Sequence, residues 1–339
     1  MLPFLVFVSI TAMAYRLLFQ IIKTGLTNSP GHCPTPMQGK PPFQLQYLGG
    51  YAPGIENTLC ILVSFFHPLF QPNATNHTPF LFDFLASFSA CVVIPFLESS
   101  RSKRSFLLGL PVVMGSIYQL FSGALIFPVY WAVFLAVTRD DAVGSEIAQA
   151  DAEAVLFGFV MGYLLPSFAM GYVATPGPIA VWQIFPVLIS LFTRLHLIGR
   201  PRRLHSGSGY RTVQATYIIC FIISALVHLR TLAYYKFDFQ TITTSLLPSL
   251  EIPDPKKGHT RLMAINLFLQ WDAVFIFGST FMASLWFVGS VVQATMLISW
   301  IAVTSAMLGP GAAISGIYLW REASLNKARL HARKLAKSQ

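Results

Sequence analysis

A single carboxylate stands in the middle of an apolar run in the C-terminal part of the sequence. Asp272, in Leu269-Gln270-Trp271-Asp272, lies about ten residues into the run 263–287, about 15 Å deep in a helix that crosses a bilayer. A charge at that depth costs about 2.5–3.5 kcal/mol on insertion scales. The group should therefore face the protein interior and retain a proton near neutral pH. Asp272 is either a general acid or a structural hydrogen-bonding residue, and the acid is favoured.

Three further carboxylates lie near the ends of apolar runs. Glu56 opens the run 56–70 and is either an acid or base or a first-turn carboxylate favoured by the helix dipole. Glu98 is followed by Arg101, a spacing that favours a salt bridge at the membrane boundary. Asp83, four residues into its run, is equally compatible with a hydrated helix end.

The histidines give no pattern typical of a metal site. His228, in Leu226-Val227-His228-Leu229-Arg230, is more compatible with a satisfied core histidine than with a catalytic one. No histidine pair at i, i+4 is accompanied by a further ligand. We therefore expect no metal.

Aromatic side chains accompany the candidate acid. Helical spacing puts Phe275 on the face of Asp272, and Trp271 precedes it. Trp182-Gln183 stands between Thr175-Pro-Gly-Pro178 and Pro186, which places an indole and an amide beside a proline kink. Because aromatic faces attract cations, such a pocket suits a carbocation, although ordinary packing is the better interpretation for any single ring.

The sequence lacks several motifs that would indicate other kinds of reaction. The sequence has neither an Asp-Asp-x-x-Asp nor an Asn-Asp-x-x-Asp motif, so magnesium-bound diphosphate chemistry is not expected. It also lacks the Asp-x-Asp-Asp run of squalene-type cyclases and a Walker phosphate loop.

Composition shows which elements must position these residues. Hydrophobic residues make up 54% of the chain and charged residues 11%, whereas soluble domains carry about 25% charged residues. The class predicted is all-α, a polytopic transmembrane bundle of about eight to nine helices. The predicted spans are 2–22, 56–70, 79–97, 106–137, 153–173, 178–197, 212–235, 263–287 and 290–320. The fourth and last are over-long, with breaks expected at Pro111 or Pro128 and at Gly309-Pro310.

Basic residues predict the orientation. Arg101, Lys103 and Arg104 share one short loop, and residues 321–339 form a basic tail. Both the loop and the tail are expected in the cytosol. The tail follows a single helical domain at 1–320. The loop 71–78 then faces the lumen and carries sequons at Asn73 and Asn76. Four arginines conflict with this orientation. A count of nine spans places their loop in the lumen, where basic residues are not expected: Arg200, Arg202, Arg203 and Arg211. Either a span between 106 and 197 is miscounted, or that loop is an exception to the rule that basic residues lie on the cytosolic side.

Five short segments resemble one enzyme family. They are Gly54-Ile55-Glu56, Glu98-Ser-Ser-Arg101, Trp182-Gln183-Ile-Phe185-Pro186, Leu269-Gln270-Trp271-Asp272 and Gly278-Ser279. With the span pattern, they are similar to the fungal integral-membrane terpene cyclases of meroterpenoid biosynthesis, of the ascofuranone/ascochlorin-cyclase and macrophorin-cyclase type.

The resemblance implies an acid-initiated, metal-free cyclisation of a farnesylated aromatic substrate, in which the acid protonates an epoxide or an olefin. Because cyclisation is an isomerisation, no cofactor is expected. It implies Asp272 as the acid and Glu56 as a base or proton relay. Trp182, Trp271 and Phe275 would stabilise the cation, and Gln183 would orient the polar head. The remaining candidates for substrate contact are Glu98, Asp83 and His228.

Other functions fit the sequence less well. The main alternative is a proton-coupled lipid or metabolite transporter with Asp272 as its coupling site. The net charge of +10 favours contact with anionic lipid over nucleic acid. We expect an integral membrane protein of the endoplasmic reticulum.

Overall fold

A computed structural model describes residues 2–26, 51–71, 74, 77–102, 105–138 and 146–338. These residues form helices and no β-strand. In chain order the helices are α1 (Leu2–Ile21), α2 (Pro53–Phe66), α3 (Thr78–Ser99), α4 (Pro111–Phe121), α5 (Gly123–Val137), α6 (Gln149–Phe159), α7 (Leu165–Val173), α8 (Pro176–Gln183), α9 (Phe185–Gly199), α10 (Tyr210–Tyr234), α11 (Phe239–Leu246), α12 (Arg261–Ser284), α13 (Val291–Leu308) and α14 (Pro310–Ser338).

The predicted all-α, polytopic class is confirmed, with fewer spans than expected. Six helical segments of the described chain are long and apolar enough to cross a bilayer, and α8 with α9, bent by 67°, makes a possible seventh. The six segments are Leu2–Leu26, Thr78–Ser99, Gln149–Val173, Tyr210–Tyr234, Arg261–Phe287 and Val291–Leu308. The expected spans at 56–70 and 106–137 fail because α2, α4 and α5 have 14, 11 and 15 residues, and a crossing needs about 20.

Several chain segments meet at one end of the bundle, which we call the basic end. Arg101 pairs with Ile147 and Ala148 with Ser208 in isolated β-bridges. Arg329 of α14 donates to Ser208 Oγ at 3.1 Å. Residues 101, 147, 208 and 329 therefore lie on the same side of any membrane that the helices cross.

Helices α4 and α5 form a hairpin that enters and leaves at the basic end. The two ends of this segment lie together, since the Ser102 N–H donates to the Glu146 carbonyl oxygen at 3.1 Å. The turn is at Ser122, which has φ 91° and ψ 139°. Gly123 follows, and a Cβ there would lie 2.4 Å from Ile276 of α12. A side chain at Gly123 would therefore separate α5 from α12.

This hairpin resolves the conflict in the arginine distribution. The span count between 106 and 197 was wrong, because 106–137 turns back at Ser122 rather than crossing. The loop holding Arg203 and the start of α10 holding Arg211 consequently lie at the basic end, where Arg200 and Arg202 pair with Glu153 and Asp151 of α6, each at 2.6 Å. The expected break also differs: Pro111 begins α4, Pro128 lies inside α5, and the chain turns at Ser122.

A second hairpin, α13–α14, turns at Gly309 with φ 88°, where a break was predicted. Pro310 begins α14, a position that suits its missing N–H. The Ala312 N–H donates to Ser224 Oγ of α10 at 3.0 Å, which satisfies one of the free donors at the helix start. The close approach of α14 to α3 depends on Gly311, where a Cβ would lie 2.4 Å from Ser87 Cα.

Helix α3 runs through the centre of the bundle. Its Phe88 ring is surrounded by aromatic rings from four other elements, with centroids 5.7–6.4 Å away: Tyr118, Phe127, Tyr163 and Phe185. Edge-to-face contacts of this kind add about 0.5–1.5 kcal/mol each beyond burial. These rings fix the first hairpin, which contributes Tyr118 and Phe127, against α3 and α9.

Some sequence-based expectations lie outside the described residues. These are the sequons at Asn73 and Asn76 and the basic residues Lys103 and Arg104. The boundary expected at residue 320 falls within α14, which continues to Ser338.

The topology predicts where engineered cysteines are labelled. In sealed microsomes, a membrane-impermeant maleimide should reach Ser206→Cys and Lys334→Cys from the same side, because both residues are exposed at the basic end. Gln240→Cys, exposed on α11 beyond the other end of α10, should be labelled from the opposite side. Of the two groups of cysteines, one should react in sealed microsomes and the other only after the membrane is permeabilised. Labelling of Ser206→Cys from the side of Gln240→Cys would contradict the hairpin.

Candidate functional site

Asp272 lies at the tip of the first hairpin, near the middle of α12. Its Oδ1 accepts a hydrogen bond from the Ser122 hydroxyl and another from the Ala124 N–H, each at 2.6 Å. The side chain is 7% exposed, and no hydrogen bond to its Oδ2 is found in the described part of the chain. Asp272 therefore caps α5 through one oxygen and has the other available to hold a proton.

Opposing influences act on this carboxyl group. Burial favours the neutral acid, because a carboxylate loses its hydration. The two donors and the N-terminus of α5 favour the anion. Ser122, a non-glycine residue with positive φ, is held in a conformation that costs about 1–3 kcal/mol, and such strain is concentrated at functional sites. This arrangement suits a group that releases a proton and then carries a negative charge.

Apolar side chains surround Asp272 on its own helix. Phe275 is buried and packs with Trp271, their ring centroids 5.9 Å apart. The Trp271 Nε1 donates to the Ser249 carbonyl oxygen at 3.1 Å, so its indole is directed away from the centre. The same cluster includes Leu18 of α1 and Ala124 of α5. The walls near the acid thus come from three helices.

Trp182 and Gln183 lie at the break between α8 and α9, next to the first hairpin. Gln183 Oε1 accepts from Gln119 Nε2 at 2.7 Å, and Gln119 precedes the turn at Ser122 by three residues. Gln183 is 3% exposed, and its Nε2 has no hydrogen-bond partner. An unpaired buried amide costs about 1–3 kcal/mol, so this N–H₂ group is available to a ligand.

Aromatic rings connect Trp182 to α12. Trp182 contacts Phe66, and the neighbouring Phe65 contacts Phe268, both with ring centroids 5.3 Å apart. Phe268 lies one turn before Asp272. Trp271 and Phe275 thus lie beside Asp272 on α12, whereas Trp182 is linked to α12 only through other rings, and Gln183 is linked to the first hairpin through Gln119.

Glu56 is not joined to Asp272. It lies in the first turn of α2 and is partly exposed. Phe65, the α2 residue whose ring contacts α12, is nine residues away, about 14 Å along the helix axis. No hydrogen bond or ion pair links the two carboxylates, so a shared function requires a relay.

Asp83 and His228 form a buried pair at the second hairpin. His228 Nδ1 lies 3.0 Å from both Asp83 oxygens, and Nε2 lies 3.4 Å from the Ala306 carbonyl oxygen. Both ring nitrogens therefore face acceptors. The pair joins α3 to α10 beside Gly309, away from the first hairpin, which fits the favoured interpretation of His228 as a satisfied core residue.

Glu98 belongs to a buried ionic cluster at the basic end. It accepts from Arg101 Nε at 2.7 Å and from Arg321 Nη1 at 2.7 Å. Arg101 also bonds Glu322. The salt bridge predicted between Glu98 and Arg101 is confirmed, and its two positive partners make Glu98 a poor proton donor.

The sequence did not single out three residues that complete these sites. Ser122 and Gln119 resemble ordinary polar interruptions, although Ser122-Gly123 could have indicated a helix cap. Arg321 was placed in a solvated tail. No three His, Cys, Asp or Glu side chains of the described ranges lie close enough together to hold a metal ion.

Comparisons with known proteins identify relatives. The terpene cyclase ascI of Acremonium egyptiacum is 24% identical over 241 residues, 65% of this chain and 62% of ascI, so the match spans less than two thirds of that relative. The terpene cyclase ctvD of Aspergillus terreus is 26% identical over 300 residues, 79% of this chain and 83% of ctvD. No solved structure matches.

A family comparison covers almost the whole chain. Residues 3–325 match the CtvD domain, a region that includes both hairpins, Asp272 and the ionic cluster. The resemblance to fungal membrane terpene cyclases is thereby confirmed. This chain belongs to the CtvD-domain family.

Proposed function

We propose that the protein is a membrane-bound terpene cyclase that protonates an epoxide or olefin of a farnesylated aromatic substrate. Two relatives are named terpene cyclases. The observation that carries the proposal is the position of Asp272, a buried carboxyl group at a helix break in mid-bundle, with one oxygen bonded and the other available. We place the enzyme in the endoplasmic reticulum membrane.

Asp272 would begin the reaction. Its Oδ2–H gives a proton to the epoxide oxygen, the epoxide C–O bond breaks, and a neighbouring double bond of the substrate attacks the carbon. The epoxide oxygen becomes a hydroxyl group, and the positive charge moves along the chain. Meanwhile Oδ1 keeps its bonds to Ser122 and Ala124, which stabilise the carboxylate as it forms.

Other residues would guide and end the reaction. The rings of Trp182 and Phe275 stabilise the cation, Trp271 supports Phe275 from outside through their ring contact, and the unpaired Gln183 N–H₂ group orients an oxygen of the substrate. A base then removes a proton, or a substrate hydroxyl closes on the cation. We propose Glu56 as that base or as a proton relay. Since no atoms are lost, substrate and product have equal mass.

A proton-coupled transporter is the second candidate, and the two hairpins favour it. Transporters use broken helices to bind ions and substrates near the midplane. Purified protein in detergent separates the two functions, because a cyclase converts an epoxyfarnesyl phenol into a product of equal mass and different retention time. A transporter leaves the compound unchanged.

Asp272→Asn should lower kcat by about 10²–10⁴-fold, the usual contribution of a general acid. Asparagine has nearly the same size and can still accept from Ala124, so the melting temperature should change little. The measurement is product formation by purified variants with equal melting curves.

Asp151→Asn is the matched control, because Asp151 is also buried but pairs with Arg202 at the basic end. Its turnover should stay within a few-fold of wild type. An Asp272→Asn protein as active as that control would leave Asp272 a structural residue, and the acid would then be Glu56 or Asp83.

Glu56→Gln should lower kcat by at least about tenfold, because an amide cannot accept or relay the proton. Glu251→Gln, which alters an exposed carboxylate, serves as the control and should have wild-type kcat. Equal rates for both variants would remove Glu56 from the mechanism.

Cyclisation should continue in EDTA. The motifs that bind magnesium-diphosphate are missing from the sequence, and epoxide protonation by a carboxyl group needs no ionised diphosphate. Rates with EDTA and with added magnesium are compared on one preparation. Activity that disappears on chelation and returns with magnesium would contradict the mechanism.

A further inference from the structure

Three buried tyrosine hydroxyls near the basic end make no hydrogen bond. They belong to Tyr130 of α5, Tyr217 of α10 and Tyr318 of α14, whose side chains are 8%, 0% and 1% exposed. A hydroxyl left unpaired in an apolar region destabilises the folded protein. Three such groups from three helices indicate that something outside the described chain satisfies them.

The hydroxyls share one aromatic shell. Tyr217 and Tyr318 have ring centroids 5.4 Å apart. Trp131 connects the set, with its ring 4.9 Å from Tyr130 and 6.4 Å from Tyr318. Flat apolar rings that carry unpaired hydroxyl groups suit a flat ligand with oxygen substituents.

The neighbouring charges indicate that this ligand is neutral. The Arg321 guanidinium lies over the rings of Phe287 and Tyr318, 4.9 and 5.7 Å from their centroids. In the ionic cluster, two guanidinium groups face the two carboxylates of Glu98 and Glu322. Since these charges cancel, the cluster offers no excess charge to an ion.

We propose that the hydroxyls of Tyr130, Tyr217 and Tyr318 bind the oxygen-bearing aromatic head of the substrate while its prenyl tail extends to Asp272. The inference rests on the proposed function and names the site that would hold the head group. It adds a second point of attachment far from the reacting end.

The depth of the two sites fits an amphiphilic molecule. Glu98 lies in the last turn of α3, at the level where a membrane becomes polar, whereas Asp272 lies near mid-helix. Tyr130 and Ala124 are six residues apart on α5, about 9 Å along its axis. A polar head at the tyrosines thus directs an apolar tail toward the first hairpin.

A small pocket at the surface lies one helical turn from two of the tyrosines. It opens between α10 and α14 and is lined by residues that include Val213 and Glu322. Tyr217 follows Val213 by four residues, and Tyr318 precedes Glu322 by four, so each lies one helical turn deeper on the same face. We therefore expect the head group to enter from the basic end.

The test combines a triple variant with a pair of substrates. Tyr130→Phe, Tyr217→Phe and Tyr318→Phe together remove three oxygen atoms and keep the rings. The substrates are an epoxyfarnesyl phenol and the epoxyfarnesylbenzene that lacks the phenolic oxygen. Wild type should prefer the phenol by at least about tenfold in kcat/KM, and the variant should convert both compounds at similar efficiency, with the loss mainly in KM.

A binding measurement separates this inference from the proposed function. Farnesylhydroquinone, which has no epoxide, should raise the melting temperature of wild type but not of the triple variant. Without it, the variant should melt at the same temperature as wild type or higher, because the unpaired hydroxyls are gone. If wild type makes no product yet shows this shift, the cyclase proposal fails and the head-group site stands. An undiminished preference in the variant overturns the site, as does a lower melting temperature without ligand, which assigns the hydroxyls to structural water.

Tyr163→Phe is the matched control. Tyr163 is equally buried, but its hydroxyl donates to the Leu85 carbonyl oxygen at 2.7 Å. This variant should lose stability and keep the preference for the phenol. If it loses the preference as the triple variant does, the effect reflects general packing and the inference fails.

Discussion

The hydrogen bonds between Asp272 and the start of α5 are the constraint on which the bundle depends. A helix that begins inside a membrane exposes backbone N–H groups that find no water there. At the turn, Asp272 and Ser122 both accept a hydrogen bond from the Ala124 N–H, so the first hairpin can end in the interior. Without that cap, 106–137 would have no reason to turn, and the loop after α9 would not share a side with Arg101.

In the second hairpin, the N–H group at the helix start is satisfied by a weaker acceptor, a hydroxyl group. Ser224 takes the place of the carboxylate, and Gly309 takes the place of Ser122 with nearly the same backbone angles. A hydroxyl group and a glycine form this turn without charge and without strain. The first hairpin differs from the second in having an ionisable cap and a strained residue, although an uncharged cap and a glycine can form the same kind of turn.

The sequence was sufficient for properties set locally and insufficient for those set by distant partners. Long apolar runs revealed most spans, and the depth of Asp272 followed from its position in one of them. The turn at Ser122 did not, because 106–137 is as apolar as a crossing helix and the deciding partner is 150 residues away. Similarly, the spacing of Glu98 and Arg101 predicted one salt bridge, whereas Arg321 joins them only through the fold.

The ionic cluster has a consequence for how the chain enters the membrane during synthesis. Glu98 emerges from the ribosome 223 residues before Arg321, so its final partner does not yet exist. Each half is neutral by itself, since Glu98 pairs with Arg101 and Arg321 adjoins Glu322. Glu98 and Arg101 therefore form one ion pair early in synthesis, and Arg321 and Glu322 form another later. When the helices assemble, two neutral ion pairs come together, which avoids the several kcal/mol that an isolated buried ion would cost.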